Sequence, residues 1–463
     1  MKLEQVHSVY FIGIGGIGMS ALARWFMLQG KQVYGYDRTA TLLTQELIQE
    51  GAHIHYTDDV AYVQSLALDK STTMVIITPA VPKNHQEWQW FTANDYTIKK
   101  RSEVLGDITN TKFNIAVAGT HGKTTTSSMI AHIIKSSGSA LAAFLGGLAS
   151  NYNSNLILEK PERNDLVMLA EADEFDRSFL RLKPDIAVVT SADADHLDIY
   201  GDHQSLTASF RDFVKNIKPG GKLIIHDSIS YLANEAKHLN IFTYGINRGQ
   251  FFACNPMAKG GFFEFDLQLD KSSAIRFKAG VPGFHNIENA IAAILVAREL
   301  GIVEDVIKKS IESFKGVKRR FEFIIDAEDL VFIDDYAHHP VEITALLTSI
   351  RAMYPERKLT VIFQPHLFSR TRDFAVEFSR SLSIADQVIL LDIYPARELP
   401  IVGVSAAMLL DEINTEYKVQ CNKDELLTVL EDIDIEVLAT VGAGDIDLMV
   451  EPIKQFLNQK YAA

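Results

Sequence analysis

The stretch Phe113-Asn114-Ile115-Ala116-Val117-Ala118-Gly119-Thr120-His121-Gly122-Lys123-Thr124-Thr125-Thr126 decides how this chain is read. An apolar run of strand length ends in a glycine turn, and a lysine with a row of hydroxyls then opens a helical segment. In that order, backbone N–H groups and the positive end of a helix dipole converge on one spot, which suits a phosphate. Lys123 is placed to reach the terminal phosphates of a nucleoside triphosphate, and Thr124 to hold a magnesium ion. Gly119, Thr120, His121, Gly122 and Thr125 complete the expected ATP cradle. The strict P-loop pattern wants an earlier glycine where Val117 stands, so the loop here is a shorter variant. The competing reading is a Gly/Thr-rich turn ahead of an ordinary helix.

Working outward, apolar runs alternate with helical patterns along the whole chain, which predicts α/β architecture with mostly parallel sheets. Strands are expected at 9–14, 32–36 and 73–78, with a helix at 19–29. Further strands are expected at 114–118, 166–170, 186–190 and 222–226, then at 330–333, 359–363, 387–391 and 437–441. A length of 463 residues suits about three domains at roughly 150 residues each. The expected boundaries are 1–108, 109–316 and 317–463. Ligands of parallel open sheets sit at the carboxyl ends of strands, so the residues after each strand are the informative ones.

The formal net charge of −14 argues against a general nucleic-acid binder, which needs a basic footprint. No apolar stretch reaches the length of a membrane span. Lys2 followed by apolar residues resembles a secretion signal, but Glu4 and the regularly spaced glycines favour a strand and loop. The two cysteines, Cys254 and Cys421, lie far apart without metal-ligand spacing. A disulfide framework is not expected, and the natural setting is a reducing cytoplasm.

A second glycine loop precedes the first one quoted. Gly13, Gly15 and Gly18 satisfy G-x-G-x-x-G between the 9–14 strand and the helix after it, and Asp37 closes the next strand. A dinucleotide site with Asp37 on a ribose is one reading. The loop amides, however, recognise any diphosphate and do not see what it carries. The reading without a ligand is close helix–strand packing. Two phosphate loops in one chain argue for two different phosphorylated ligands, which a simple NAD-dependent oxidoreductase would not need.

Acids follow the strands behind the Lys123 loop. The 166–170 strand runs into Glu171-Ala172-Asp173-Glu174, and the 186–190 strand into Asp193-Ala194-Asp195-His196-Leu197-Asp198. Glu171 and His196, at neighbouring strand ends, are candidates to hold one or two magnesium ions with Thr124. Loop acids facing solvent are the plainer alternative. His285-Asn286-Ile287-Glu288-Asn289 opens a helix with Asn286 and Asn289 on one face, where amides can read an adenine edge. An N-cap asparagine with a polar neighbour is the alternative. The last region holds Arg319-Arg320-Phe321, Asp334-Asp335-Tyr336-Ala337-His338-His339-Pro340, and His366 with Arg370. Arginine's planar fork suits carboxylate or phosphate there.

Taken in order, these motifs resemble the Mur ligases of bacterial cell-wall synthesis, over the whole chain. The carriers are Gly13-Ile14-Gly15-Gly16-Ile17-Gly18-Met19-Ser20, the Gly119–Thr126 loop, and Glu171-Ala172-Asp173-Glu174 with Ser178-Phe179. With them go Asp195-His196-Leu197-Asp198, His285-Asn286 with Asn289, Arg319-Arg320-Phe321 and Asp335–Pro340. The resemblance implies a Rossmann-like N-terminal domain that binds a UDP-sugar, a central P-loop ATPase domain and a Rossmann-like C-terminal domain. It moves the first glycine loop (Gly13, Gly15, Gly16, Ile17, Gly18, Met19, Ser20), with Asp37, from NAD to a UDP-sugar. It implies ATP and Mg²⁺ as cofactors, and UDP-N-acetylmuramate and L-alanine as substrates joined through an acyl phosphate. Lys123, Glu171 and His196 are then the catalytic set, and Asn286, Asn289, Arg320 and Asp335 further ATP contacts. Tyr336, His338, His366 and Arg370 would meet the amino acid and the sugar-linked carboxylate. His196 and His339 are candidate bases for the amine. Domain closure, shielding the acyl phosphate from water, is implied too. The alternatives are the recycling branch that adds a preformed peptide, an NAD-dependent oxidoreductase, and a non-catalytic nucleotide-binding protein.

Overall fold

The computed structural model describes residues 1–194, 200–259, 262–269, 273–396 and 398–461. The chain divides into two compact units. One comprises Met1–Cys254, Leu267–Ile275 and Glu288–Ser313, and the other Asn255–Asp266, Arg276–Ile287 and Phe314–Ala463.

The first unit begins with a parallel sheet of β1 (Ser8–Ile12), β2 (Gln32–Tyr36), β3 (His53–His55), β4 (Thr73–Ile77) and β5 (Thr97–Lys100), in the order β3-β2-β1-β4-β5. Alternate residues of a strand face opposite sides, and both sides of β1 are covered. Val9 and Phe11 enter one apolar core, Tyr10 and Ile12 the other. The helices are α1 (Ile17–Leu28), α2 (Leu42–Gln49), α3 (Val60–Ser65), α4 (Gln86–Ala93) and α5 (Arg101–Thr109). Chain order reverses at β1, whose neighbours are β2 and β4, so the Gly13 loop opens at the switch point where such sheets bind ligands.

A second sheet contains β6 (Phe113–Ala118), β7 (Leu141–Ala149), β8 (Ser154–Glu159), β9 (Val167–Ala172), β10 (Ile186–Val189), β11 (Lys222–His226), β12 (Asn240–Ile246), β13 (Phe251–Lys259), β14 (Phe262–Gln268) and β15 (Ala274–Ala279). Its order is β8-β7-β9-β6-β10-β11-β12-β13-β14-β15. β6 is parallel to β9 and β10, and β7 is antiparallel to β8. β6 is again a switch point, and helix α6 (Lys123–Ser136) starts from its loop. Asn155 of β8, fully buried, joins this sheet to α1. Its amide donates to Ile17 O at 2.5 Å and Ser20 Oγ at 2.8 Å, and accepts from Arg24 Nη1 at 2.6 Å.

The second unit holds β16 (Glu322–Asp326), β17 (Val331–Asp335), β18 (Leu359–Phe363), β19 (Gln387–Leu390), β20 (Tyr417–Gln420) and β21 (Val437–Val441). The order is β16-β17-β21-β18-β19-β20, parallel except for β16. Two apolar clusters cover its faces.

The α/β expectation holds, with shifts at strand ends. The 9–14 strand stops at Ile12 and the turn takes Gly13; the 19–29 helix starts two positions early, at Ile17. Glu171 and Asp335, expected just beyond their strands, are inside them. Parallel neighbours carry the ladder that far, pairing Val117 with Glu171 and Asp335 with Val441. The β7–β8 hairpin and the antiparallel β16 were not expected. Among the described residues no helix is long and apolar enough to cross a membrane.

Candidate active site

The loop after β6 is stitched to the loop after β10 by hydroxyls. Thr120 Oγ1 and Ser191 Oγ are 2.9 Å apart, Ser191 Oγ accepts the His121 N–H at 2.8 Å, and Thr120 Oγ1 accepts the Asp193 N–H at 3.0 Å. Gly119 has φ +141°, and a Cβ there would lie 2.0 Å from Thr190 Oγ1. No other residue fits both the conformation and the contact. The shorter loop is therefore a built feature, held from both sides, and not a degraded turn.

Lys123, the first residue of α6, is the cation of this loop. Its ammonium donates to the Gly119 and Thr120 carbonyls and meets Glu174 Oε2 at 2.8 Å. Burial opposes its charge, but Glu174, Glu171 and Asp173 together hold its pKa above the usual lysine range. Glu171 Oε1 accepts from Thr124 Oγ1 at 3.1 Å, and its Oε2 from the Gly146 N–H at 2.9 Å. A hydroxyl and a carboxylate side by side form an all-oxygen donor pair, which suits a hard cation such as magnesium. His196, the third expected member of that group, lies outside the described residues.

Asn289 belongs to the same cluster. Its Oδ1 accepts from Thr126 Oγ1 at 3.0 Å, and it sits where a Cβ on Gly122 would meet it at 2.6 Å. Thr125 is buried on α6. Glu174, quoted in sequence only as part of an acidic run, proves to be the partner of Lys123. Tyr200 Oη fixes its backbone by donating to Glu174 O at 2.6 Å. The sequence shows Glu174 three residues after Glu171, but not that its side chain is the buried one.

The loop after β1 differs. Asp37 Oδ2 accepts the Gly15 N–H at 2.7 Å, so a carboxylate of the chain lies where the loop amides would face a diphosphate. Ser20 is fully buried, its hydroxyl donating to Ile17 O and accepting from Asn155, and Met19 is buried in the core. Gly18 faces Arg101, whose Nη1 lies 2.6 Å from where a Cβ would be. Arg101 pairs with Asp173 at 3.1 Å. Arg101 and Asn155 gave no motif signal, because each acts through a contact distant in sequence.

In the second unit, Asp335 is buried and accepts the Phe321 and Ala337 N–H groups, both at 2.7 Å. Burial pushes its carboxyl up to about 6, against the pull of Arg320 and these two bonds. Arg320 lies over the Tyr336 ring at 4.9 Å and 3.7 Å from Glu342. The four residues expected at the amino acid form one chain of contacts. Tyr336 and His338 rings are 5.4 Å apart, His338 and His366 6.0 Å, and Arg370 Nη1 is 3.4 Å from His366 Nδ1. His339 caps its helix, with Nδ1 accepting from Val341 N. Asn286, in the same unit, is buried and donates to Pro282 O at 2.6 Å.

Three family models cover most of the chain: the Mur ligase family catalytic domain at residues 8–113, the Mur ligase middle domain at 117–297, and the Mur ligase glutamate ligase domain at 319–448. The chain belongs to the Mur ligase family. It is 50% identical to UDP-N-acetylmuramate–L-alanine ligase of Flavobacterium psychrophilum over 99% of this chain and 100% of that one. It is 47% identical to the ligase of the same name from Cytophaga hutchinsonii, over 100% and 99%. Among solved structures, UDP-N-acetylmuramate-alanine ligase MurC of Thermotoga maritima matches with TM-score 0.80 and 28% identity, covering 98% of this chain and 99% of that one. A murein peptide ligase of Psychrobacter arcticus matches with TM-score 0.70 and 21% identity, covering 97% and 98%. At that identity the likeness is one of fold. The three-domain α/β fold of the family is thus the fold of this chain.

Proposed function

We propose that this protein is an ATP-dependent ligase that joins L-alanine to the lactyl carboxylate of UDP-N-acetylmuramate in peptidoglycan precursor synthesis, and so serves cell shape and division. The observation that carries the reading is full-length identity of about half to ligases of that name, with the Lys123 loop built as a phosphate cradle. We assign residues 1–108 to the UDP-sugar, 109–316 to ATP and 317–463 to the amino acid and nucleotide. The setting is the cytoplasm, where ATP and the nucleotide-sugar are available.

A carboxylate is a poor acceptor for an amine because it lacks a leaving group. One lactyl oxygen attacks the γ-phosphorus of ATP; ADP leaves and an acyl phosphate forms. The neutral amine of L-alanine then attacks the acyl carbon, phosphate departs, and the amine proton passes to a base, for which His196 and His339 are the candidates. Lys123 and the loop from Gly119 to Thr125 bind the ATP phosphates and lower the repulsion between two anions. Thr124, Glu171 and His196 would hold magnesium, which supplies further charge neutralisation on the phosphoryl oxygens. Asn286, Asn289, Arg320 and Asp335 are assigned to the rest of ATP. The loop from Gly13 to Ser20, with Asp37, is assigned to the UDP-sugar. Tyr336, His338, His366 and Arg370 are assigned to alanine and the substrate carboxylate, with Arg370 supplying the bidentate cation.

The test is ADP release with UDP-N-acetylmuramate and, in turn, L-alanine, glycine, L-serine or a preformed tripeptide, with and without magnesium. Release that requires the nucleotide-sugar, L-alanine and magnesium is expected. Release with tripeptide alone would place the enzyme in the recycling branch, and NADH oxidation without ATP use would refute a ligase.

A further inference from the structure

Asp58, His85 and Glu87 gather at the carboxyl edge of the five-stranded sheet, the edge from which the Gly13 loop also opens. Asp58 precedes α3, His85 is the N-cap of α4, and Glu87 lies in the first turn of α4. One ligand atom from each falls within 4.8 Å of the others. Glu87 is fully buried and His85 is 5% exposed. Neither ring nitrogen of His85 has a hydrogen-bond partner, although Nδ1 points at Asp58 Oδ1 from 3.3 Å. A buried imidazole normally satisfies at least one nitrogen, so this ring is aimed at something that the side chains around it do not supply.

The two carboxyl groups are oriented by hydrogen bonds, and no lysine or arginine among the described residues pairs with them. Asp58 accepts the Gln86 and Glu87 N–H groups at 2.9 and 3.0 Å. Glu87 accepts from Tyr10 Oη at 2.7 Å and from the Asp59 N–H at 2.9 Å. Each oxygen retains a second lone pair. Among the described residues no lysine or arginine pairs with either acid; their only basic neighbours are His85 and His55, the latter with Nε2 3.3 Å from Glu87 Oε1. Glu87 is a buried carboxyl without a lysine or arginine, and burial pushes it up to about 7; proteins relieve such a cost by protonation, by pairing or by binding metal. Hydrogen bonds that fix ligands from behind are the usual outer shell of a metal site.

We propose that Asp58, His85 and Glu87 bind a divalent cation of the zinc class, which pins the segment before α3 to the start of α4. One imidazole and two carboxylates are a ligand set that zinc accepts, while magnesium and calcium prefer oxygen alone. His55 flanks Glu87 from outside the trio, its Nε2 3.3 Å from Glu87 Oε1 and 2.8 Å from Tyr10 Oη. Its three ligands are not among the residues assigned to either substrate, although His85 packs on Tyr36, the residue before Asp37.

The test is calorimetric titration of chelator-stripped, full-length protein with zinc chloride in excess magnesium, which blocks oxygen-only sites. Wild type is compared with His85→Phe and Glu87→Gln. Phenylalanine keeps a ring against Tyr36, whose centroid is 4.5 Å from that of His85, and removes the nitrogens. Wild type is expected to show a class of zinc site that both variants lose or bind roughly tenfold or more weakly. Equal zinc binding in all three proteins would overturn the proposal. Should a variant fail to fold, cobalt added to wild type decides: visible bands of a low-coordinate, histidine-ligated ion are expected, and their absence overturns it.

Discussion

In the loop after β1, Gly15 gives its N–H to Asp37, while in the loop after β6, Lys123 gives its ammonium to Glu174 and to two carbonyls of its own loop. Both loops leave a central strand at a switch point and both lead into a helix N-terminus, so their backbones offer a phosphate much the same thing. Their side chains do not. The first loop has a carboxylate, Asp37, on one of its amides, and on the proposed assignment a diphosphate would take that amide while Asp37 turns to the rest of the UDP-sugar. The second has a cation parked on an acid that a triphosphate must replace. On the proposed assignment the first would bind by exchange of one anion for another. The second holds in reserve the positive charge that phosphoryl transfer needs.

Removing that charge should have the largest effect. Lys123→Ala is expected to lower ATP-dependent turnover by on the order of a hundredfold or more, measured as ADP release, while UDP-sugar binding by the other loop survives. Near-normal turnover would erase the distinction between the loops. Glu174→Gln sharpens it. The Glu174 side chain is 1% exposed, and breaking a buried pair costs about 3–5 kcal/mol, so the melting temperature of nucleotide-free protein should fall. Added nucleotide should narrow the gap to wild type, because phosphate takes over from Glu174. An unchanged gap would show that Glu174 is not standing in for phosphate.

Much of this was legible in the sequence. Strand, glycine turn and Lys-Thr-Thr are local signals, and local geometry decides where their amides and dipole point. The partners were less legible. Glu174 lies 51 positions from Lys123 and Asn155 135 from Ser20, and only the fold brings them together. Strand ends at Glu171 and Asp335 were misplaced because hydrophobicity stops before the hydrogen-bond ladder does. A neighbouring parallel strand can hold an acid in register that no apolar pattern announces.

Asp335 extends the comparison to a third strand end. Its folded pKa of about 6 lies above the unfolded value of 3.8, so the folded state favours the protonated form. The stability this provides is complete below about pH 4, falls as pH rises towards 6, and is gone above that, a change of about 3 kcal/mol. In Asp335→Asn the decline between pH 4 and 6 should flatten, as followed by denaturant unfolding. An unaltered slope would remove Asp335 as its source. The smallest effect is expected from Asp37→Ala. Losing one hydrogen bond, about 1 kcal/mol, is offset by freeing the Gly15 N–H, so KM for the UDP-sugar should change less than about tenfold with kcat unaltered. A collapse in kcat would mean that the first loop takes part in the chemistry.

The most direct measurement of the reaction is the fate of a lactyl carboxylate oxygen. With UDP-N-acetylmuramate labelled by heavy oxygen in that carboxylate, the phosphate released during L-alanine ligation should carry a labelled oxygen, as an acyl phosphate requires. Unlabelled phosphate from a productive turnover would contradict activation of the carboxylate as an acyl phosphate.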